Sequence, residues 1–522
     1  KDRNKWYEWL ILLALACACG AYKILVAYPL PSPSHSILGE GVVRVLLNAG
    51  HEVTYITPYP AKSPHVKLTV VQVSDVLDAS MDLNLKNIMN HESSVDDPRE
   101  FFNITMQISI NAIMNETVQK MLNDPNQTFD LVFIEWMFNE ILCGLAVVYN
   151  CPYIWMYPTE PSSLALSLID DRLNPSYNYG VFSSHAPPYS FLERAKELAI
   201  HIVSLTIKDV YFGRIESKYF EEIYGPILRK KGRPVVPSYD EVKYNASLMF
   251  GNSHISIGQP VRLPQNFKPI RGYHIDPKVK PLPDNLKKIL DGAKDGLIYF
   301  SMGSNLKSKD MPDAVKQGLL KVFGELKQTV LWKFEENVEN LPKNVHIVQW
   351  APQPSILAHP NCVLFISHGG GLSTTETVHF GKPTISIPVF GDQFTNADMA
   401  VQKGFSIRLD LDYNLPENLK VALKEILGNP SYTTKAKEAS FIYNHRPMTP
   451  GDELVHWVEH VIVTKGAPHL RSIALLVPFY QKYYLDLTAV ALAIIFVLYL
   501  AIKSLCKRLC KQKRSNIKKK KL

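Results

Sequence analysis

Short apolar runs alternate along the chain with stretches whose apolar residues recur every three to four positions, the pattern of a parallel sheet wrapped by helices. Strands are predicted over residues 23–28 and 52–57, with a helix over 39–49 between them that Gly50 ends. Later strands over 130–135 and 152–157 flank a helix over 139–149. From about 159 to 260 the periodicity loosens among aromatics and prolines, with a helix near 189–208. This segment reads as a substrate-side insertion that could lie against a membrane. A polar, proline-containing linker over 259–284 leads to a second series of strands, over 297–302, 329–334, 345–349, 363–367 and 384–388. The pattern predicts an α/β protein of two doubly wound, Rossmann-like domains, 21–275 and 276–465, facing a cleft where ligands bind beyond the carboxyl ends of the strands.

The two ends of the chain follow other rules. The apolar run over 485–502 has Asp486 as its only charge and is long enough for ~30 Å of hydrocarbon, so it is predicted to be a transmembrane helix. Residues 503–522 then hold ten Lys or Arg and no acid, which places that basic tail in the cytosol and the body on the opposite side. The last four residues, Lys519, Lys520, Lys521 and Leu522, resemble the dilysine retrieval signal of resident endoplasmic reticulum membrane proteins. At the other end, Lys1 and Lys5 precede an apolar stretch over 9–19 that is too short to span, so residues 1–20 read as a signal peptide. Sequons at Asn103, Asn115, Asn126 and Asn245 all precede the membrane helix, where glycosylation can occur. The expectation is a single-pass type I protein of the endoplasmic reticulum membrane with a lumenal body.

Charge and cysteine content narrow the classes further. The formal charge of +8 belongs to the tail, because removing its ten basic residues leaves 47 against 49 acidic ones. A basic face for nucleic acid therefore has no support. Only Cys143, Cys151 and Cys362 lie in the body outside the signal and tail, too few for a disulfide-built scaffold.

Candidate chemistry is concentrated between Trp350 and Gln393. Trp350 offers a flat face for a base, and Gln353 can hydrogen-bond a ribose. Gly369, Gly370 and Gly371 let a backbone approach a phosphate at the start of a helix whose free N–H groups favour an anion. Glu376, farther into that helix, can accept from ribose hydroxyls, while Asp392 and Gln393 can bind those of a sugar. Gly303 and Ser304, after another strand, add N–H groups and a hydroxyl for a diphosphate. In the first domain, His35 follows the first strand in a loop and Glu135 closes the strand over 130–135, so both fall at one sheet edge. A histidine oriented by a carboxylate is a general base suited to neutral pH.

At these residues the chain resembles the UDP-glycosyltransferase family, in particular its membrane-bound animal branch of UDP-glucuronosyl- and UDP-glucosyltransferases. The likeness runs from the signal peptide to the lysine-rich tail, and it implies the GT-B arrangement. It implies that Trp350 and Gln353 hold uracil and ribose. His368, Ser304 and Ser373 would hold the diphosphate, Glu376 the ribose, and Asp392 with Gln393 the transferred sugar. It also implies that His35 is the base, assisted by Glu135 where the family has aspartate. Family members usually carry Asn where this chain has Leu372. The implied reaction is inverting transfer of a sugar from a UDP-sugar to a hydroxyl of a small lipophilic acceptor. The UDP-sugar is a co-substrate, and no cofactor or metal is expected. UDP-glucose is favoured and UDP-glucuronic acid is the alternative. A homo-oligomer is left open, as is the acceptor.

Competing motifs lack their partners. H368-G-G-G371 resembles an esterase oxyanion loop, but the chain has no G-x-S-x-G elbow. H456-W-V-E-H460 fits an inverted zinc-protease pattern, yet residues 461–522 hold no Glu for a third ligand. Asp410-Leu411-Asp412 matches the D-x-D of metal-dependent transferases but falls in a loop after the cassette. A catalytically silent lumenal binding homologue would share this fold, and the intact His35, Glu135, Glu376 and Asp392 argue against it.

Overall fold

The computed structural model describes residues 20–519 except 61–63, 79–82, 94–96, 179, 181–182 and 184–186. The signal peptide expected over 1–20 lies outside the described residues up to position 19, as do the terminal residues 520–522 of the retrieval signal. Two compact units result, one ending at Arg471 and the other starting at Ser472.

The first unit holds two all-parallel sheets. Seven strands build the first: β1 (Lys23–Ala27), β2 (Glu52–Thr57), β3 (Leu68–Gln72), β4 (Leu131–Glu135), β5 (Tyr153–Tyr157), β6 (Leu248–Gly251) and β7 (Phe267–Pro269). Their order is β3-β2-β1-β4-β5-β6-β7. Six more build the second: β8 (Leu297–Ser301), β9 (Thr329–Lys333), β10 (Val345–Val348), β11 (Cys362–Ser367), β12 (Thr384–Ser386) and β13 (Ser406–Arg408). Their order is β10-β9-β8-β11-β12-β13. In each sheet the chain order reverses beside the first strand, at β1/β4 and at β8/β11. Such switch points open a crevice at the carboxyl edge. Strands covered on both faces need continuous apolar runs, which is why β4, β5 and β8 are buried at every residue.

Strands β3, β6, β7 and β13 escape the sequence pattern. β6, β7 and β13 are three or four residues long, and β3 and β7 lie at a sheet edge, where an apolar run on both faces is not required. Part of the loosely patterned segment belongs to the core, where one of its helices underlies the first sheet. In the helix Gly213–Lys230, Phe220, Ile223, Tyr224, Ile227 and Leu228 recur at helical spacing and pack in the same core as Trp155 and Met249.

Among the described helices, Leu85–Met89 and Pro450–Val463 pack into the other domain. α1 (Pro33–Asn48) covers the first sheet, and α2 (Leu85–Met89) leaves it to bury Leu85 in the core of the second with Met311 and Val315. α3 (Gly371–Phe380) and α4 (Asp392–Gln402) follow β11 and β12 in the second domain. α5 (Pro450–Val463) then returns to the first domain, where Leu454, Val458 and Val461 pack with Ile24, Val26 and Val42.

In the second unit, α6 (Leu485–Lys519) is one continuous helix. Its stretch Leu485–Lys513 has a mean hydropathy of 2.5 in its most apolar window and is long and apolar enough to cross a membrane. The expected boundary at 502 is not a break in structure, since the basic residues that follow keep helical geometry through Lys519.

Candidate active site

The carboxyl edges of both sheets face one cleft of about 750 Å³, lined by His35, Gly303, Ser304, Trp350, Gln353, His368, Gly370, Ser373, Glu376, Asp392 and Gln393. The donor-site residues expected from sequence line that cleft, except Gly369, together with the expected base. Glu135 stands directly behind His35.

β1 and β4 pair with Ala27 opposite Ile134, so the residue closing β4 lies beside the turn into α1. His35 occupies the first turn of α1 rather than a loop, because Pro33 starts the helix six residues earlier than its apolar periodicity indicates. His35 Nδ1 and Glu135 Oε1 are 2.5 Å apart, and the two side chains are 17% and 1% exposed, so only the histidine meets the cleft. Burial alone would lower the imidazole pKa. The Glu135 charge and hydrogen bond, with Asp392 adding to them, override burial and raise it above its usual value. Glu135 Oε2 has no hydrogen-bond partner among the described residues, so the pair ends at Glu135.

The opposite wall is already wired together. Gln353 Nε2 donates to Glu376 Oε2 at 2.7 Å and to Ser373 Oγ at 3.2 Å. Burial lifts the Glu376 carboxyl to about 7, with the Gln353 bond pulling it partly back. Gly370 precedes α3 without a side-chain cap, which leaves the first N–H groups of the helix for an anion. His368 fills the space beside it, and a β-carbon on Gly303 or Gly370 would run into its ring. Burial first, then the charge of Lys333, depress the His368 pKa to about 4, so this imidazole is neutral. Trp350 is 62% exposed, an open platform for a base. Asp392 Oδ2 accepts from Asn396 Nδ2 at 2.9 Å, and Gln393 Oε1 is held by the Val389 N–H at 2.8 Å. Leu372, where the resemblance implies Asn, packs against the apolar cluster of the first domain and so seals the two walls instead of offering a polar contact.

Among the features not read from sequence are Lys333 and Asn305 on the cleft wall and Arg271 behind it. Lys333 ends β9, donates to the Gly303 carbonyl at 3.0 Å and to Glu335 at 2.8 Å, and lies 5.9 Å from the Trp350 ring. Asn305 Nδ2 donates to Ser32 Oγ at 2.9 Å, joining the expected diphosphate loop to the residue before α1. Buried Arg271 bonds Thr375 Oγ1 at 2.6 Å, the Gly371 carbonyl at 3.0 Å and Glu160. Their common signal is position, since Lys333 and Asn305 stand at or just past strand ends. Two of the three competing motifs are apart from the cleft, since the 456–460 histidines lie on α5 and Asp410 to Asp412 form a loop after β13, while His368, Gly370 and Gly371 belong to the cleft wall itself.

The sequon asparagines fall on the first domain. Asn103, Asn126 and Asn245 are exposed. Asn115 caps the helix Glu116–Asn123, and its Nδ2 donates to Asp75 at 2.7 Å.

Comparison with known proteins agrees with this fold. Residues 24–521 match the family model described as UDP-glucoronosyl and UDP-glucosyl transferase. The chain is 30% identical over 502 residues to UDP-glucosyltransferase 2 of Dactylopius coccus, covering 96% of this chain and 95% of that one. It is 28% identical over 528 residues to UDP-glucuronosyltransferase 2B13 of Oryctolagus cuniculus, with 95% of each covered. Among solved structures, the glycotransferase of kitacinnamycin overlays with a TM-score of 0.54 at 16% identity, covering 85% of this chain and 100% of that one. A UDP-glucosyltransferase from Polygonum tinctorium gives 0.54 at 14% identity, covering 85% and 99%. These structures share the two-sheet GT-B fold.

Proposed function

The chain belongs to the UDP-glucoronosyl and UDP-glucosyl transferase family and is a UDP-glycosyltransferase, and from this we propose that it moves glucose from UDP-glucose to a hydroxyl of small lipophilic acceptors with inversion. The observation that carries the reading is His35, held by Glu135 at 2.5 Å, facing the preassembled Gln353, Ser373 and Glu376 across one cleft. In this mechanism UDP-glucose lies with uracil on Trp350, ribose at Glu376 and the diphosphate between Ser304, His368 and the start of α3. Asp392 and Gln393 hold the glucose. The outer nitrogen of His35 takes the acceptor proton as the acceptor oxygen bonds to the anomeric carbon. The bond from that carbon to the diphosphate oxygen breaks, and UDP leaves with the electron pair. Glu135 stabilises the imidazolium that forms.

Two observations favour glucose. Asp392 would face a donor carboxylate with like charge, and the Arg271 guanidinium nearby is engaged by Glu160, Thr375 and Gly371. UDP-glucuronic acid is the second reading, favoured by the rabbit relative. In the same proposal α6 anchors the protein in the endoplasmic reticulum membrane with its body in the lumen, in keeping with the basic residues that follow the span.

The test incubates membranes holding the full chain with UDP-glucose or UDP-glucuronic acid and a panel of phenols and alcohols. The expected result is faster glucose transfer, a β-linked product by NMR, and loss of transfer in His35→Ala. An α-linked product or near-normal turnover of His35→Ala overturns the mechanism, and faster glucuronic acid transfer overturns the sugar assignment.

A further inference from the structure

His274 lies in the linker after β7, at the cleft wall, and was not among the residues singled out from sequence. Its side chain is 2% exposed, and neither ring nitrogen has a hydrogen-bond partner among the described residues. Buried polar atoms are rarely left this way unless a ligand or water completes them. The ring is aimed at Glu376. His274 Nε2 is 4.0 Å from Glu376 Oε1, while the other carboxylate oxygen takes the Gln353 bond. That gap is too long for a hydrogen bond, but a hydroxyl oxygen about 2.8 Å from both atoms would bridge it at an angle of roughly 90°.

We propose that His274 and Glu376 form a two-sided ribose clamp, in which one ribose hydroxyl donates to the Glu376 carboxylate and accepts the His274 Nε2–H. This rests on the donor placement proposed above. Burial, and then the charges of Arg271, Arg44 and His379, hold the imidazole pKa down to about 3, so the ring is neutral and has one N–H to give.

The linker is held by the helix that carries the base. Arg44 Nη2, on α1, donates to the carbonyls on either side of His274, Tyr273 at 2.9 Å and Ile275 at 3.3 Å. A β-carbon on Gly41 of the same helix would meet the His274 Cα at 2.8 Å, so the glycine is what lets helix and linker close together. One rigid element therefore positions both the base and one side of the clamp, which ties the donor's ribose to the place where the acceptor proton is removed.

The clamp predicts discrimination against deoxyribose. Isothermal titration of the full-length protein in detergent micelles would compare UDP with 2′-deoxy-UDP and 3′-deoxy-UDP. Wild type is expected to bind UDP about tenfold more tightly than at least one deoxy nucleotide. His274→Ala should weaken UDP about tenfold and leave that deoxy nucleotide unchanged, so that the preference collapses. His274→Gln, whose amide can donate from a similar place, should keep it. His274→Phe retains the ring volume without a donor, and it must also lose the preference, including where the alanine variant fails to fold. Equal weakening of all three nucleotides, retained discrimination in His274→Phe, or a wild type that binds all three alike overturns the clamp. A wild type that binds no uridine nucleotide overturns the donor placement itself.

Discussion

His35 and His368 line the same cleft and are driven in opposite directions. At the edge of the first sheet a carboxylate behind His35 overrides burial and raises its pKa, whereas at the edge of the second sheet burial and Lys333 together take His368 down to about 4. One ring is poised to gain a proton and the other is fixed as a neutral hydrogen-bonding group. On the function proposed above, the two walls divide the work: the first domain supplies proton chemistry, and the second the groups that hold the donor. The local partner, not the residue type, decides which.

If the division holds, variants of the first wall change turnover and variants of the second change donor affinity. The largest effect is expected for His35→Ala, with kcat falling by roughly 10²–10⁴ while UDP-sugar affinity by titration stays within about twofold. A loss of affinity instead would break the comparison. Glu135→Gln should lower kcat by roughly 10². It should also move the acidic limb of the kcat/KM profile to lower pH: neutral His35 is the active form, so activity rises as pH climbs through its raised pKa, and removing the carboxylate leaves burial to lower that pKa. An unmoved limb would mean that Glu135 does not set the base. On the other wall, Trp350→Ala should raise KM for the UDP-sugar about tenfold with kcat held, since stacking a base on an aromatic ring is worth ~1–3 kcal/mol. The smallest effect is a loss of UDP-sugar affinity of a few fold as pH falls below about 7, where the Glu376 carboxyl gains its proton and no longer accepts from a hydroxyl as an anion. Titrations at several pH values should show this in wild type and a flat response in Glu376→Gln.

The second wall was the more legible one. Its residues come from one stretch, 350–393, whose polar groups cluster at strand ends, and pairing β11 with β8 brings Gly303 and Ser304 beside them. His35 and Glu135 lie 100 positions apart, and their meeting depends on β1 pairing with β4, which the apolar pattern implies only through the sheet it predicts. His274, Lys333 and Arg271 were hidden because their only local signal is a place at or after a strand end. A lysine at the end of a strand reads as solvated until the cleft closes over it. The helix Gly213–Lys230 carries a readable apolar stripe, but the aromatics and Pro226 within it blur the period, so its place in the core is not legible from the sequence. The start of α1 was misplaced for a similar reason, since Pro33, Ser34 and His35 carry no apolar signal although proline is at home in the first turn.

The return of α5 to the first domain sets an order of events during synthesis. Leu454, Val458 and Val461 cover α1 and β1, yet they are made more than 400 residues after them. At ~5–20 residues per second the ribosome takes on the order of tens of seconds to reach them. For that time the face of the first sheet that α1 packs on lacks the part of its apolar cover that α5 supplies. A fragment ending near residue 275 would therefore lack the Leu454, Val458 and Val461 part of that cover for its whole life.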